Sequence, residues 1–166
     1  MRVKENQEQN VAGGAVMAIR QLRIEGDPIL RKKCKKVLKI DDRIRLILND
    51  MMDTLHSTDN GAALAANQIG ILRRLVVIDY LDYCYKLVNP IIVGKSGEQE
   101  CLEACLSFPN RLVKTIRPEQ VTVQALNEKG ETLLLTGEWE MAKCFCHEIE
   151  HLDGIVFLDR AIEIIQ

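Results

Sequence analysis

The segment that most constrains this chain is a His-Glu-x-x-His motif near its carboxyl end, formed by His147, Glu148 and His151. The chain has three histidines, and two of them lie in this motif. Residues four apart lie on one face of a helix, so the two imidazoles can bind one metal ion beside Glu148. A metal there lowers the pKa of a water molecule, and the neighbouring carboxylate can accept its proton and later return it.

The residues around the motif favour a helix. Apolar side chains recur at helical spacing, and a glycine follows where the helix is expected to stop (Trp139, Ala142, Phe145, Cys146, Ile149 and Gly154). The alternative is a surface helix that carries two solvated histidines and some acids. The apolar spacing favours the metal-binding interpretation.

Composition indicates an ordinary globular protein. The 166 residues suffice for one core, and a net charge of -2 gives no general indication of nucleic-acid or membrane binding. The sequence contains no apolar run of transmembrane length and no signal-peptide pattern. We therefore expect the six cysteines to be thiols, metal ligands or core residues in a reducing cytoplasm.

The amino-terminal residues differ from the rest of the chain. Residues 1–16 are polar, contain glycine and show no periodicity, and Met17 looks like a second beginning. We therefore predict a disordered leader over residues 1–16 and a single catalytic domain over residues 17–166.

The remaining pattern predicts an α+β fold, with antiparallel or mixed sheets packed around a central metal-binding helix. A second helix is expected from Asp41 to about Ser57, because an aspartate (Asp41 or Asp42) can cap its start and an apolar stripe follows at helical spacing (Ile44, Ile47, Leu48, Met51 and Leu55). Strand-like runs occur at Leu75–Asp79, Tyr85–Val93 with an interruption at Asn89-Pro90, Arg111–Arg117, Val121–Leu126 and Leu133–Leu135. A hairpin turn is expected at residues 127–130, between the last two runs.

Two histidines do not complete a catalytic metal site, which needs a third protein ligand and leaves a position for water. Chemistry alone leaves six candidates open: Asp153, Asp159, Cys101, Cys105, Cys144 and Cys146. A carboxylate ligand would indicate an endopeptidase of the general His-Glu-x-x-His kind. A purely structural zinc site is a further alternative.

Two other segments carry recognisable patterns: Gly-Ala-Ala-Leu-Ala-Ala-Asn-Gln at residues 61–68 and Glu-Ala-Cys-Leu-Ser at residues 103–107. Together with residues 146–154, their order and spacing resemble the peptide deformylases, which remove the formyl group from the N-terminal methionine of new bacterial proteins. The likeness covers roughly residue 18 to the end. The chain departs from the family pattern at four positions, which hold Ala63, Ala104, Cys146 and Glu150.

The resemblance implies roles for particular residues. It makes Cys105 the third metal ligand beside His147 and His151, and it makes Glu148 the general base. The side-chain amide of Gln68 and the backbone N–H of Leu106 are expected to stabilise the oxyanion. The metal is expected to be Fe(2+) in the cell, with Zn(2+) or Ni(2+) in purified protein.

The same resemblance implies a formyl-methionyl peptide, the start of a nascent chain, as the substrate. Transient ribosome contact is a weaker expectation, because the basic run near residues 32–36 is more simply a solvated face. The substrate is expected to lie against Gly61, Ala62, Ala63 and Ala104. Apolar residues near the motifs (Leu64, Phe145 and Ile149) are expected to pack in the core rather than line the substrate pocket. Once Cys105 is taken as the ligand, Cys144 is expected to be structural, on the motif helix but off its ligand face.

The four departures leave an alternative open. Ala63 and Ala104 each add a methyl group where the family's substrate passes, and alanine would be strained if either position needs positive φ. Glu150 has one methylene more than the family's aspartate, which is expected to affect a ligand histidine. The alternative is a catalytically weak or inactive relative that binds metal and peptide N-termini.

Overall fold

The computed structural model describes residues 11–12, 15–16 and 18–166. These residues form two α-helices and ten strands: β1 (Val11–Ala12), β2 (Ala15–Val16), α1 (Asp42–His56), β3 (Ala63–Ala65), β4 (Leu75–Tyr80), β5 (Tyr83–Ser96), β6 (Gln99–Cys105), β7 (Phe108–Arg117), β8 (Gln120–Leu126), β9 (Thr132–Glu138), α2 (Glu140–His151) and β10 (Ala161–Ile164). Apart from β1 and β2, the predicted leader lies outside the described residues. No helix among the described residues is long and apolar enough to cross a membrane.

The strands form two larger antiparallel sheets. One has the order β3-β4-β5-β8-β9 and the other the order β10-β7-β6, while β1 and β2 pair with each other. The predicted α+β fold is therefore confirmed, and both larger sheets are antiparallel rather than mixed.

The two helices cover opposite faces of the five-stranded sheet. Successive strand residues point to opposite faces, so Leu64, Val77 and Val88 pack with α1, whereas Ala63 and Val76 pack with α2. The predicted α1 is confirmed, because the side chain of Asp41 accepts a hydrogen bond from the N–H of Ile44 and the predicted apolar stripe is buried.

The helix predicted around the His-Glu-x-x-His motif is α2. Its apolar residues Met141, Phe145 and Ile149 are buried in the core beneath the five-stranded sheet, while α2 also contacts β7 of the other sheet. Gly154 follows the helix with φ +72°, and its N–H donates to the carbonyl of His151 at 3.0 Å. The predicted stop is confirmed.

Several strands differ from the sequence prediction: β1, β2, β3, β6 and β10 are absent from it, and β5 is longer than expected. Asn89 and Pro90 do not interrupt the strand: β5 continues through them with a shift of register, because Asn89 has φ 52° and its side-chain amide bonds both backbone groups of Val37. The strand β6 is absent from the prediction because its pattern is inverted. Its buried positions include Glu103, whereas Leu102 is exposed.

The turn after α2 yields a test of stability. A Cβ atom at Gly154 would lie 2.3 Å from the backbone oxygen of Arg31, so Gly154→Ala combines a left-handed backbone with a steric clash. We expect it to lower the free energy of unfolding by roughly 3 kcal/mol. Urea denaturation measures this change.

The control is Gly130→Ala in the β8–β9 turn, where φ is +82° but the nearest atom to an added Cβ lies 4.0 Å away. This variant should lose only roughly 1 kcal/mol. Equal losses in the two variants would contradict the steric contribution at Gly154.

Candidate active site

Three metal-binding side chains converge between α2 and the end of β6. The Sγ atom of Cys105 lies 3.4 Å from Nε2 of His151, and the Nε2 atoms of His147 and His151 lie 3.2 Å apart. The ligand atoms of all three residues lie within 4.8 Å of one another. Ligand atoms bonded to one tetrahedral ion at roughly 2.0–2.3 Å lie roughly 3.3–3.6 Å apart, so this arrangement fits one divalent metal.

The carboxylates that the sequence left open as third ligands are engaged elsewhere. Asp153 accepts a hydrogen bond from Arg74 at 2.8 Å, and Asp159 accepts from Arg31 at 2.5 Å. Among residues 18–166, the three side chains that converge as potential metal ligands are those of Cys105, His147 and His151, so the third member is a cysteine rather than a carboxylate. The geometry therefore gives no support to an endopeptidase-like site with a carboxylate ligand.

Glu103 holds the ring of His147 through a hydrogen bond. Its Oε2 lies 2.9 Å from Nδ1 of His147, and its carboxylate also accepts hydrogen bonds from Thr115 and Arg117. Burial acts to raise the pKa of Glu103, but the hydrogen bonds from His147 and Arg117 outweigh it and lower that pKa to about 2. A carboxylate at Nδ1 fixes the ring and directs Nε2 toward the cluster.

The sequence pattern assigns no role to Glu103, although this residue begins the segment at residues 103–107. The one signal that could have found it is its position between Cys101 and Cys105 on alternate residues of one strand, which places a charge on the buried face. A buried carboxylate needs partners, and those partners come from other parts of the chain.

Glu150 acts on the site indirectly. Its two oxygens accept hydrogen bonds from Arg117 and Arg160, each at 2.9 Å. Arg117 in turn binds Glu103, so Glu150 connects to His147 through two intervening side chains. The predicted effect of Glu150 on a ligand histidine would therefore pass through Arg117 and Glu103.

The second ligand histidine, His151, ends α2 and is held from outside the helix. Asn67 donates a hydrogen bond to its carbonyl oxygen at 2.6 Å. The next carbonyl, of Leu152, accepts from the N–H of Cys34 at 2.8 Å and from Arg74 at 3.1 Å. These bonds satisfy helix-end carbonyls that have no partner within α2.

The two histidines differ in electrostatics. Burial and the neighbouring His147 lower the pKa of His151. Burial also acts to lower the pKa of His147, but hydrogen bonds to Cys105 and Glu103 outweigh it and raise that pKa to about 10. A metal ion has to displace the proton of His147, since only the neutral ring is a ligand.

Glu148 is a buried carboxylate beside this cluster. None of the described residues donates a hydrogen bond to its Oε2. Burial raises the pKa of Glu148 to about 7, although His147 acts to lower it. A carboxyl group with such a pKa can both accept and return a proton near neutral pH.

Gln68 presents its amide nitrogen to the cluster. Its Oε1 accepts from the N–H of Ala65 at 2.9 Å, while its Nε2 donates to Ser107 at 3.1 Å and lies 3.5 Å from Sγ of Cys105. Leu106 and Ser107 form the turn between β6 and β7, so the N–H of Leu106 directly follows Cys105 in the chain. The amide of Gln68 therefore lies next to the cluster, and the other predicted oxyanion donor belongs to the residue that follows Cys105 and also lines the adjacent cavity.

A cavity of about 530 Å³ opens onto the cluster. Its lining includes all four predicted substrate-binding residues, together with catalytic candidates and neighbours (Gly61, Ala62, Ala63, Ala104, Gln68, Cys105, Leu106, His147 and Glu148). Among the described residues, positive φ at a non-glycine occurs at Leu81, Asn89, Asn110 and Trp139. Neither Ala63 nor Ala104 is in this set, so the strain considered for these alanines does not arise.

Of the residues predicted to lie away from the site, one lines the cavity instead. Leu64, Phe145 and Ile149 pack in the core as expected. Cys144 lines the cavity, whereas the sequence assigned it a structural place away from the ligand face. It lies one turn before Glu148 on α2, and four-residue spacing brings it to the same side.

Comparison with known proteins agrees with this geometry. The family model for polypeptide deformylase matches residues 19–165. Peptide deformylase 2 of Clostridium acetobutylicum is 59% identical over 150 residues, which cover 90% of this chain and 100% of that protein. Peptide deformylase of Acetivibrio thermocellus is 48% identical over 149 residues, which cover 90% of this chain and 87% of that protein.

Solved structures give the same result. The crystal structure of a peptide deformylase from Legionella pneumophila has a TM-score of 0.82 at 41% identity and covers 86% of each chain. That of a peptide deformylase from Synechococcus elongatus in complex with actinonin has a TM-score of 0.83 at 34% identity, covering 96% of this chain and 86% of that one. This chain therefore belongs to the polypeptide deformylase family, the metal-dependent hydrolases that remove the formyl group from formyl-methionyl peptides.

Proposed function

We propose that deformylation takes place where Glu148 faces the cavity, with one divalent metal held by Cys105, His147 and His151. The observation that carries this proposal is a buried carboxylate without a hydrogen bond to its Oε2 from the described residues, beside three convergent ligand atoms. A buried polar atom of this kind needs a ligand or water as its partner. The open cavity admits both.

The proposed mechanism assigns each proton. When bound, the metal supplies Lewis-acid activation of the attacking water and of the formyl carbonyl. Glu148 accepts a proton from the water as its oxygen attacks the formyl carbon. Gln68 and the N–H of Leu106 donate to the formyl oxygen as it gains negative charge. The carbon–nitrogen bond then breaks as Glu148 returns this proton to the leaving nitrogen, and the second water proton passes from the formic acid product to the amine, which leaves formate and a protonated N-terminus.

The identity of the metal rests on the family rather than on the ligand set, since one thiolate and two imidazoles suit iron as well as zinc. From the resemblance to the deformylases we infer Fe(2+) in the cell, with Zn(2+) or Ni(2+) as occupants after purification. The natural substrate is inferred to be a nascent chain. Ribosome contact through the exposed lysines near residues 32–36 and a cytoplasmic location stay predictions.

The third ligand can be tested by substitution. Cys105→Ala should weaken metal binding by more than roughly 100-fold, because it removes a ligand rather than a neighbour of one. Metal content after competition with a chelator measures this. The matched control is Cys101→Ala on the same strand, which should retain the metal. If Cys105→Ala retained the metal and Asp153→Ala lost it, the assignment of Cys105 as the third ligand would be contradicted.

The general base has a separate test. Glu148→Gln should lower kcat for a formyl-Met peptide by roughly 100- to 10,000-fold with unchanged metal content, because the amide cannot accept the proton. A formate-release assay measures this, with Glu131→Gln in the exposed β8–β9 turn as the control. A purely structural metal site predicts that Glu148→Gln keeps full activity.

Glu103 is expected to be a positioning residue. Glu103→Gln leaves His147 without its charged partner, so metal affinity should fall roughly 10- to 100-fold. Metal titration measures the change. Glu100→Gln, a control on the exposed face of the same strand, should not alter it. Equal affinities for the two variants would show that Glu103 does not orient the ligand.

A further inference from the structure

The substrate cavity follows one face of α2. The helix residues that line it are spaced at three and four positions, as neighbours on one helical face are: Glu140, Lys143, Cys144, His147 and Glu148. The reacting formyl group has to lie beside Glu148 and Gln68. We place the side chain of the formylated residue toward the N-terminus of α2, because the cavity lining continues along the helix from His147 to Cys144, Lys143 and Glu140.

Lys143 closes this part of the cavity. Its Nζ donates to the backbone oxygen of Leu102 on β6 at 2.9 Å and lies 2.5 Å from Oε2 of Glu140. The lysine side chain is only 18% exposed. We call Lys143, Glu140 and the Leu102 carbonyl the latch, because together they join α2 to the strand across the cavity.

The latch lies one helical turn from the metal cluster. Lys143 precedes His147 by four residues, which corresponds to about 6 Å along the helix axis. This distance accommodates an unbranched side chain such as that of methionine. A longer or aromatic side chain extended along α2 would meet the ammonium group and its two partners.

A second cavity of about 450 Å³ lies on the other side of Glu140. Tyr80 and Glu140 line both cavities, so Glu140 is the member of the latch that lies between them, whereas Lys143 and Leu102 line the substrate cavity alone. The second cavity is otherwise rich in apolar and aromatic residues, including Leu81, Tyr83 and Trp139. It therefore offers an apolar surface to any side chain that passes the latch.

Two residues of this second cavity have unusual backbone conformations. Leu81 and Trp139 each have φ 52°, and their side chains are 80% and 54% exposed. Large side chains at positive φ are costly, and neither residue recovers that cost by burial in the core. Their place in the cavity wall keeps apolar surface available next to the substrate site.

We propose that the latch determines which formylated residue the enzyme accepts. In the closed arrangement it ends the cavity at the length of methionine. Without the lysine the two cavities join, and longer or aromatic first residues are accepted. This inference rests on the proposed function, because it takes the formyl group to react beside Glu148.

The test compares substrates that differ only in the first residue. Formate release is measured with formyl-Met-Ala-Ser and formyl-Phe-Ala-Ser, and the ratio of their kcat/KM values is the readout. Lys143→Ala should raise the Phe-to-Met ratio at least about tenfold over the unsubstituted enzyme, mainly through a lower KM for the phenylalanine peptide. Lys143→Met should do the same, because it keeps an apolar stem and loses both hydrogen bonds.

The matched control is Lys114→Met. Lys114 is also ion-paired, with Nζ 3.0 Å from Glu163, but it does not line the cavity. Its ratio should stay within about twofold of the unsubstituted enzyme. If Lys143 has a purely structural role, its substitution should lower the melting temperature and leave the Phe-to-Met ratio unchanged. That result would overturn the proposal. A Lys143→Met enzyme with the original ratio would also overturn it, because the stem alone would then suffice.

A second measurement does not depend on turnover. Calorimetric titration of the same metal-loaded variants with Met-Ala-Ser and Phe-Ala-Ser gives the ratio of the two dissociation constants. The latch predicts that this ratio shifts toward the phenylalanine peptide in both Lys143 variants and not in Lys114→Met. If the unsubstituted enzyme released no formate from formyl-Met-Ala-Ser, this result would count against the proposed function alone. The ratio of dissociation constants would still test the latch, because it does not require turnover.

Discussion

The buried carboxylate of Glu103 is the interaction on which the rest of the site depends. It belongs to β6, and its partners Thr115 and Arg117 belong to β7, while His147 belongs to α2. One side chain therefore fixes the three-stranded sheet against the helix that carries two of the ligand atoms. A buried charge is tolerated only with such partners, and removing one of them typically costs roughly 3–5 kcal/mol. The fold and the metal site consequently share this group.

The parts of the fold that depend on local pattern were predictable. Both α-helices follow from apolar spacing, the start of α1 follows from a capping aspartate, and the end of α2 follows from Gly154. The strand β6 could not be found in this way, because Glu103 occupies a position that normally holds an apolar residue. Its burial depends on Arg117 and His147, which lie 14 and 44 residues further along the chain. A pattern of neighbouring residues carries no information about such partners.

The site residues show the same difference between what local spacing predicts and what depends on distant parts of the chain. Spacing alone brought His147, Glu148 and His151 together, whereas the place of Cys105 came from family resemblance, since it lies 46 residues from His151. The sequence could not decide whether Ala63 and Ala104 were strained, because backbone angles at those positions depend on the strands that hold them. It also missed that Cys144 lines the cavity, a point that depends on which face of α2 is left uncovered by the sheet.

The bonds at the end of α2 have a consequence for how long an ion stays bound. The last turn of a helix is the part that opens most readily, and here that turn contains His151. Asn67, Cys34 and Arg74 hold its terminal carbonyls from three separate segments. Fraying of this turn therefore requires those segments to separate as well. Release of an ion held by His151 would thereby require cooperative opening of the structure, which would favour a long residence time in the folded enzyme.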